Sequence, residues 1–174
     1  MTHCKPTIHP LPSADTKTSL RRLSDTDAPA IHAAFQDRAL VRWLAALPVP
    51  VERSDSDRYL RFLLDPDVEA SAICLGARLI GVVSLSVELS FWIECNQHRK
   101  GIGGWAITQF LKQPPKDRAS VIACCMYDNL GAKALLQKLG FQRDPMPVRR
   151  FSFAHRRGVD FTRYRLNTAL PSTL

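Results

Sequence analysis

The residues best able to do chemistry lie between Phe91 and Leu111, where Gly101, Gly103 and Gly104 follow Arg99 and Lys100. An apolar, β-prone run leads into them through Ile93. Ile102, Trp105, Ala106 and Leu111 lead out near helical spacing. This order reads as strand, tight turn and helix. Glycines let backbone N–H groups approach a ligand, and the free N–H groups at a helix N-terminus carry partial positive charge, so phosphate is the expected guest. A strand-to-helix turn with no ligand would select similar residues. Neither nucleotide fingerprint fits: there is no Gly-x-x-x-x-Gly-Lys-Ser/Thr, and Gly-x-Gly-Gly lacks the third glycine spacing of the dinucleotide motif. A different phosphate-bearing cofactor is favoured.

The elements that must hold this turn can be read along the chain. Residues 1–17 are rich in Pro, Ser and Thr and read as a flexible arm; residues 18–168 form one domain and residues 169–174 a tail. A short first strand is expected over Ser19 to Leu23. Capping oxygens at Ser24 to Asp27 and Pro29 in the first turn start a helix carrying Ile31, Ala34 and Phe35. A second helical piece runs from Ala39 to Ala46, stopped by Pro48 and Pro50, and a third starts at Ser54 with Tyr59, Leu60, Leu63 and Leu64 inward. The pattern then turns to strands over Ala70 to Gly76, Arg78 to Leu85 and Val87 to Glu94. The glycine helix ends by Pro114 and Pro115. A buried strand from Ser120 to Met126, a helix from Asn129 to Leu139 stopped at Gly140, and closing strands at Phe151 to Phe153 and Phe161 to Leu166 complete an α/β domain.

The 174 residues suit one domain with a substantial core, and 45% hydrophobic against 23% charged residues argues against wholesale disorder. The net charge of +8 favours anionic partners without choosing among a phosphate-bearing cofactor, nucleic acid, a ribosome or a membrane surface. Five cysteines, Cys4, Cys74, Cys95, Cys124 and Cys125, form no Cys-x-x-Cys and no metal-ligand spacing, so neither a disulfide framework nor a metal site is expected. The longest apolar run, Leu79 to Val87, is too short to span a bilayer, and the first residues lack the apolar core of a signal peptide. A reducing, cytoplasmic setting without membrane contact follows as the expectation.

A second block, Asn129, Ala132, Leu135, Leu136, Lys138, Gly140 and Phe141, follows the glycine turn at a telling distance. Together the two blocks resemble the Gcn5-related N-acetyltransferase (GNAT) superfamily over about residues 19 to 166, with a pyrophosphate loop and helix, a strand, then an Asn-x-x-Ala/Ser helix ending in Lys-x-Gly-Phe. Val41 to Leu44 with Pro48 and Pro50, and Val87 to Ile93, look like the branch of ribosomal-protein N-terminal alanine acetyltransferases. The resemblance implies a central mixed, mostly antiparallel sheet flanked by helices, with a splayed strand pair as the cofactor cleft. Acetyl-CoA would be the co-substrate, without a metal. Its pantetheine would pair with the backbone of Ile93, Glu94 and Cys95. Its pyrophosphate would lie on His98, Arg99, Lys100, Gly101, Ile102, Gly103 and Gly104. Asn129 and Ala132 would meet the cofactor arm. The chain departs from the family pattern at His98, where Gln or Arg is usual, and at Ala132 and Leu136, where relatives carry a hydroxyl that protonates the thiolate.

Acetyl transfer needs a neutral amine, yet an α-amine has a pKa of roughly 8 and a lysine one near 10.4, so a base must help. Strand alternation sets Glu88, Ser90, Trp92 and Glu94 on one face, making Glu88 and Glu94 the candidate bases. A backbone amide near Ile93 to Cys95 would hold the oxyanion. Tyr127, just before Asn129, is the candidate proton donor to the thiolate, with water as the alternative. Cys124 and Cys125 read better as strand interior than as nucleophiles. Trp43 and Arg42, with Trp92, are candidate walls of the acceptor site. The acceptor is a primary amine, on a protein N-terminus or a small molecule, and a homodimer is compatible with a domain of this size. Two other readings stay open: a CoA-binding regulatory module with little turnover, and a nucleic-acid-binding domain, against which the arginines are scattered and no recognition motif occurs.

Overall fold

The computed structural model describes residues 17–113 and 119–167. The expected tail, Pro114 and Pro115, and all of the expected arm but Lys17 lie outside these. Eight strands form one sheet in the order β1-β2-β3-β4-β5-β8-β6, with β7 also paired to β8. They are β1 (Thr18–Arg21), β2 (Glu69–Leu75), β3 (Arg78–Leu85), β4 (Leu89–Ile93), β5 (Ser120–Met126), β6 (Gln142–Arg143), β7 (Val148–Ser152) and β8 (Arg157–Asn167). Every pairing is antiparallel except that of β4 with β5.

The helices fall on both faces because strand alternation sends apolar side chains both ways. On one face Ile80, Val83, Leu89, Ile93, Val121 and Tyr164 meet Ile102, Ala106, Ile107 and Phe110 of α4 (Ile102–Leu111) and Leu136 of α5 (Leu130–Lys138). On the other, Ala72, Leu79, Val82 and Trp92 meet Ile31 and Phe35 from α1 (Ala28–Ala34) and its end, Leu40 and Val41 of α2 (Arg38–Val41), and Leu60 and Leu63 of α3 (Arg53–Leu63). Each such large side chain, fully withdrawn from water, contributes about 1.5–3 kcal/mol.

Several boundaries differ from the expectation. The piece expected over Ala39 to Ala46 is helical only to Val41 and continues as turns to Leu47, since Pro48 and Pro50 leave too little chain for two more turns of helix. A short 3-10 turn, Asp25–Asp27, precedes α1, where Ser24 and Asp27 form a reciprocal cap. The third expected strand loses Val87, Glu88 and Glu94 to the turns on either side, so only Ser90 and Trp92 keep the alternation expected for that face, with Trp92 buried.

Candidate active site

The parallel neighbours β4 and β5 are joined at one residue pair, Leu89 with Ala123, among the described residues. Beyond it they diverge. The register of β3 on β4 pairs Gly81 with Ile93 and Val83 with Phe91, and the Glu94 N–H donates to Ile80 C=O at 2.9 Å. In an antiparallel ladder alternate residues face alternate neighbours. Ser90, Trp92 and Glu94 therefore bond to β3, while the peptide groups of Phe91 and Ile93 point into the opening toward β5. This edge can receive an extended ligand as an added strand. Glu94 offers no backbone group to it, because its C=O accepts from Gln97 N–H at 2.9 Å. The Ile93 carbonyl is also taken: His98 Nε2 donates to it at 2.9 Å, which fixes the tautomer and makes the ring a brace between strand and turn. The amides left for a ligand or an oxyanion are those of Phe91 and Ile93.

At the open end, Gly101 caps α4 with φ 78°, a left-handed conformation that favours glycine, and Arg99 shares it at φ 61°. Exposed Arg99 and Lys100 stand at the first amides of α4, with Lys100 Nζ held 3.0 Å from Gln97 Oε1. A Cβ on Gly103 would lie 3.1 Å from Leu135 Cδ2 and 3.5 Å from Ile93 Cδ1. That glycine thus lets α4 settle against α5 and β4 as well as presenting its amide. Across the opening, Asn129 Oδ1 caps α5 by accepting from Ala132 N–H at 3.1 Å, leaving its amide N–H groups as donors. Leu136, where relatives carry a tyrosine, is fully buried in the core. Tyr127 is 60% exposed beside Asn129, with Lys133 Nζ 4.4 Å above its ring.

At the closed end, β4 begins beside a cleft of about 370 Å³ lined by Tyr59 and Phe62 of α3, Ser84, the Ser86 to Glu88 turn, Ser90 and Arg150 of β7. Arg150 clamps Glu88 with both nitrogens, at 2.7 and 2.5 Å, and Cys124 Sγ donates to the same carboxylate at 3.4 Å. The Arg150 hydrogen bonds hold the Glu88 carboxyl below its ordinary range against the opposing effect of burial. Burial first, and then the Glu88 charge, push the Cys124 thiol up to about 12, and burial pushes Cys125 to about 11, so neither is a thiolate at neutral pH. Trp92 is 3% exposed and donates Nε1–H to Tyr59 Oη at 3.0 Å, so it stands behind the cleft and orients one wall. Glu94 lies at the far end of β4, 2.9 Å from Arg78 Nη1. Arg42 lies over Trp43 at 4.5 Å and 3.9 Å from Asp128, bringing the segment after α2 to the turn between β5 and α5.

Sequence reasoning missed Arg150, Tyr59 and Phe62. Arg150 carried a weak signal, a cation next to the apolar Phe151 in a closing strand, but its partner is 62 residues away. Among the described residues no group of three or more metal-ligating side chains comes together, and no helix is long and apolar enough to cross a membrane.

Transferases that lay an extended thioester carrier between two diverging strands are the class this arrangement serves. The model of the acetyltransferase (GNAT) domain matches residues 17–142. The chain belongs to the GNAT acetyltransferase family, as an N-acetyltransferase. No curated protein sequence matches it. Among solved structures, a Salmonella typhimurium acetyltransferase that modifies the N-terminal serine of ribosomal protein L7/L12 superposes with TM-score 0.71 at 14% identity, over 91% of this chain and 98% of that one. The ribosomal-protein-alanine N-acetyltransferase of Brucella melitensis gives 0.70 at 18% identity, over 86% and 99%. The spermidine N-acetyltransferase of Vibrio cholerae, with CoA and spermine, gives 0.69 at 16% identity, over 86% and 95%. At these identities the likeness is one of fold.

Proposed function

We propose that this enzyme acetylates the α-amino group of a peptide or protein N-terminus, with Glu88 as the proton acceptor. The observation that carries this reading is the position of Glu88, on the wall of a cleft at the closed end of β4, one residue before the Leu89–Ala123 pair that joins β4 to β5, with its carboxylate fixed by Arg150. A carboxylate held ionised accepts a proton directly or through water, and the edge amides of Phe91 and Ile93, further along the same strand, would serve the oxyanion. Glu94 is the weaker candidate because it sits next to the anion-binding turn and is engaged by Arg78.

Acetyl-CoA supplies a thioester, and the chain's own residues hold and orient it. The amides from Gly101 to Gly104, with Arg99 and Lys100, carry the pyrophosphate. The Phe91 peptide group and the Ile93 N–H pair with the pantetheine, and Asn129 and Ala132 border it on α5. Tyr127 stands at the β5 end of the opening as donor to the departing thiolate. Arg42 and Trp43 wall the acceptor side.

Charge supports this acceptor class. A polyamine needs several carboxylates, but Glu88 here is already neutralised by Arg150, and the other lining groups of the cleft are hydroxyls and aromatic or aliphatic carbon. One amine next to an uncharged side chain suits it better. Among the described residues Cys74 and Cys125 are buried and Cys95 and Cys124 half-buried as free thiols, which supports a reducing, cytoplasmic setting. The test is a panel of acceptors assayed for thiol release: short peptides with a free N-terminus, the same peptides N-blocked but bearing lysine, and spermidine. Turnover confined to free N-termini supports the reading, and preference for spermidine or for lysine side chains overturns it.

A further inference from the structure

The edge of the sheet at β1 carries features that acetyl transfer does not use. Gly76 N–H donates to Lys17 C=O at 3.1 Å, and the same register sets Ser19 opposite Cys74 and Arg21 opposite Ala72. Alternate residues of an antiparallel strand bond to alternate sides, so the peptide groups of Ser19 and Arg21 turn to β2 and those of Thr18 and Leu20 turn outward. Among the described residues no strand lies on that outer side. The outward groups border a groove of about 490 Å³ between residues 17–20 and one face of α4, where Trp105, Gln109, Lys112 and Gln113 recur at helical spacing. Leu20 and Trp105, both half-buried against the core, supply its apolar surface. Lys17 precedes β1 and Lys112 follows α4. Both are exposed, neither has an ion-pair partner among the described residues, and no carboxylate lines the groove. The opening between β4 and β5 is three strands away, and the acceptor cleft is on the opposite, α3 face of the sheet.

An unpaired strand edge receives an extended polypeptide as an added strand, bonded through its main chain at every second residue. Charge selects which polypeptide. Lysines at an edge discourage pairing with a like edge, and a second copy would bring Lys17 and Lys112 of one groove against the same pair of the other. A nucleic acid would meet the lysines but leave the alternating donors and acceptors of the edge unmatched. An acidic segment satisfies both. We infer that the β1 edge docks an extended acidic segment of a partner protein, paired to the peptide groups of Thr18 and Leu20, with apolar side chains on Leu20 and Trp105 and carboxylates toward Lys17 and Lys112. Docking there is independent of which amine accepts the acetyl group, and it leaves the cofactor opening and the acceptor cleft free.

The experiment is fluorescence anisotropy of a short labelled peptide of alternating Glu and Val, set against the same peptide N-methylated along its backbone, which keeps the charge and removes strand pairing. The full chain is compared with the double variant Lys17→Glu, Lys112→Glu and with Thr18→Pro, which deletes an outward N–H and leaves the ladder to β2 intact. Matching melting temperatures check that the variants fold, and the N-methylated peptide tests the same bonds on the native chain. The expected result is binding that weakens at least about tenfold on N-methylation, in both variants and in high salt, and that saturating acetyl-CoA leaves unchanged. Equal binding of the N-methylated peptide, equal binding by the charge-reversed variant, or no binding at low salt would overturn the inference. So would displacement by acetyl-CoA, which would give the groove to the cofactor, or by a synthetic peptide of residues 1–16, which would give it to the chain itself. Tighter binding of an RNA oligonucleotide or of phosphatidylserine vesicles, lost on charge reversal, or a dimer that Thr18→Pro makes monomeric, would replace the acidic partner with another occupant.

Discussion

In the mechanism proposed for acetyl transfer, Glu88 and Arg150 are the pair on which the chemistry turns. Replacing Glu88 by Gln keeps the shape and removes the proton acceptor, so kcat should fall by about 100-fold or more while acetyl-CoA affinity stays. Steady-state kinetics with calorimetric titration of acetyl-CoA separates the two, and unchanged kcat would move the base elsewhere. The Glu88 carboxyl is held below its ordinary value, chiefly by Arg150. The ion pair therefore contributes stability above the ordinary carboxylate range and loses it as pH falls through the lowered folded-state pKa. The melting-temperature gap between the native chain and Glu88→Gln should be present at pH 7 and close on acidification. Arg150→Ala should raise the Glu88 pKa and move the acid limb of kcat/KM upward, and a limb that stays put would detach that limb from Glu88. The candidate carboxylates were named in the sequence from an alternation that the strand does not extend to, since Glu88 and Glu94 lie in the turns flanking β4. The clamp was not legible, since a contact between residues 88 and 150 depends on how β7 and β8 fold back, and no local pattern encodes that.

At the scale of elements, the turn before α4 and the seam between α4 and α5 decide whether the cofactor cleft forms. Gly101 is left-handed with nothing within 4 Å of a built Cβ, so Gly101→Ala is strained by its backbone and not by space. The expected cost is about 1–2 kcal/mol, less for Asn, read from denaturant unfolding. Gly103 is limited by space, with Leu135 at 3.1 Å. Gly103→Ala should lower stability and acetyl-CoA affinity together, and combining it with Leu135→Val should cost less than the sum of the two changes. Strict additivity would remove the packing explanation. Strand, glycine turn and helix were readable here because their signals are local. The length of α2 was not, since apolar residues from Val41 to Leu47 fit a helix and a series of turns equally well. The two-residue strand β6 was missed because two residues carry no period.

For the whole molecule, the architecture combines features spread along the chain: a sheet opened between β4 and β5, the glycine turn that starts α4 at one end of the opening and a cleft at the other. Acetyl-CoA at about a hundredfold over its dissociation constant should stabilise the fold by roughly 2.7 kcal/mol, a rise of a few degrees in melting temperature. NAD at the same concentration should produce none. The most direct measurement is single-turnover transfer: the chain mixed with acetyl-CoA and a peptide bearing a free α-amine and no lysine, with released thiol and acetylated peptide quantified together. The expected result is one acetyl group on the peptide N-terminus for each thiol released, abolished or greatly slowed in Glu88→Gln. Thermal stabilisation by acetyl-CoA with no acetylated peptide across a broad set of N-terminal residues would contradict it, and would leave a protein that binds the cofactor without passing its acetyl group to an N-terminus.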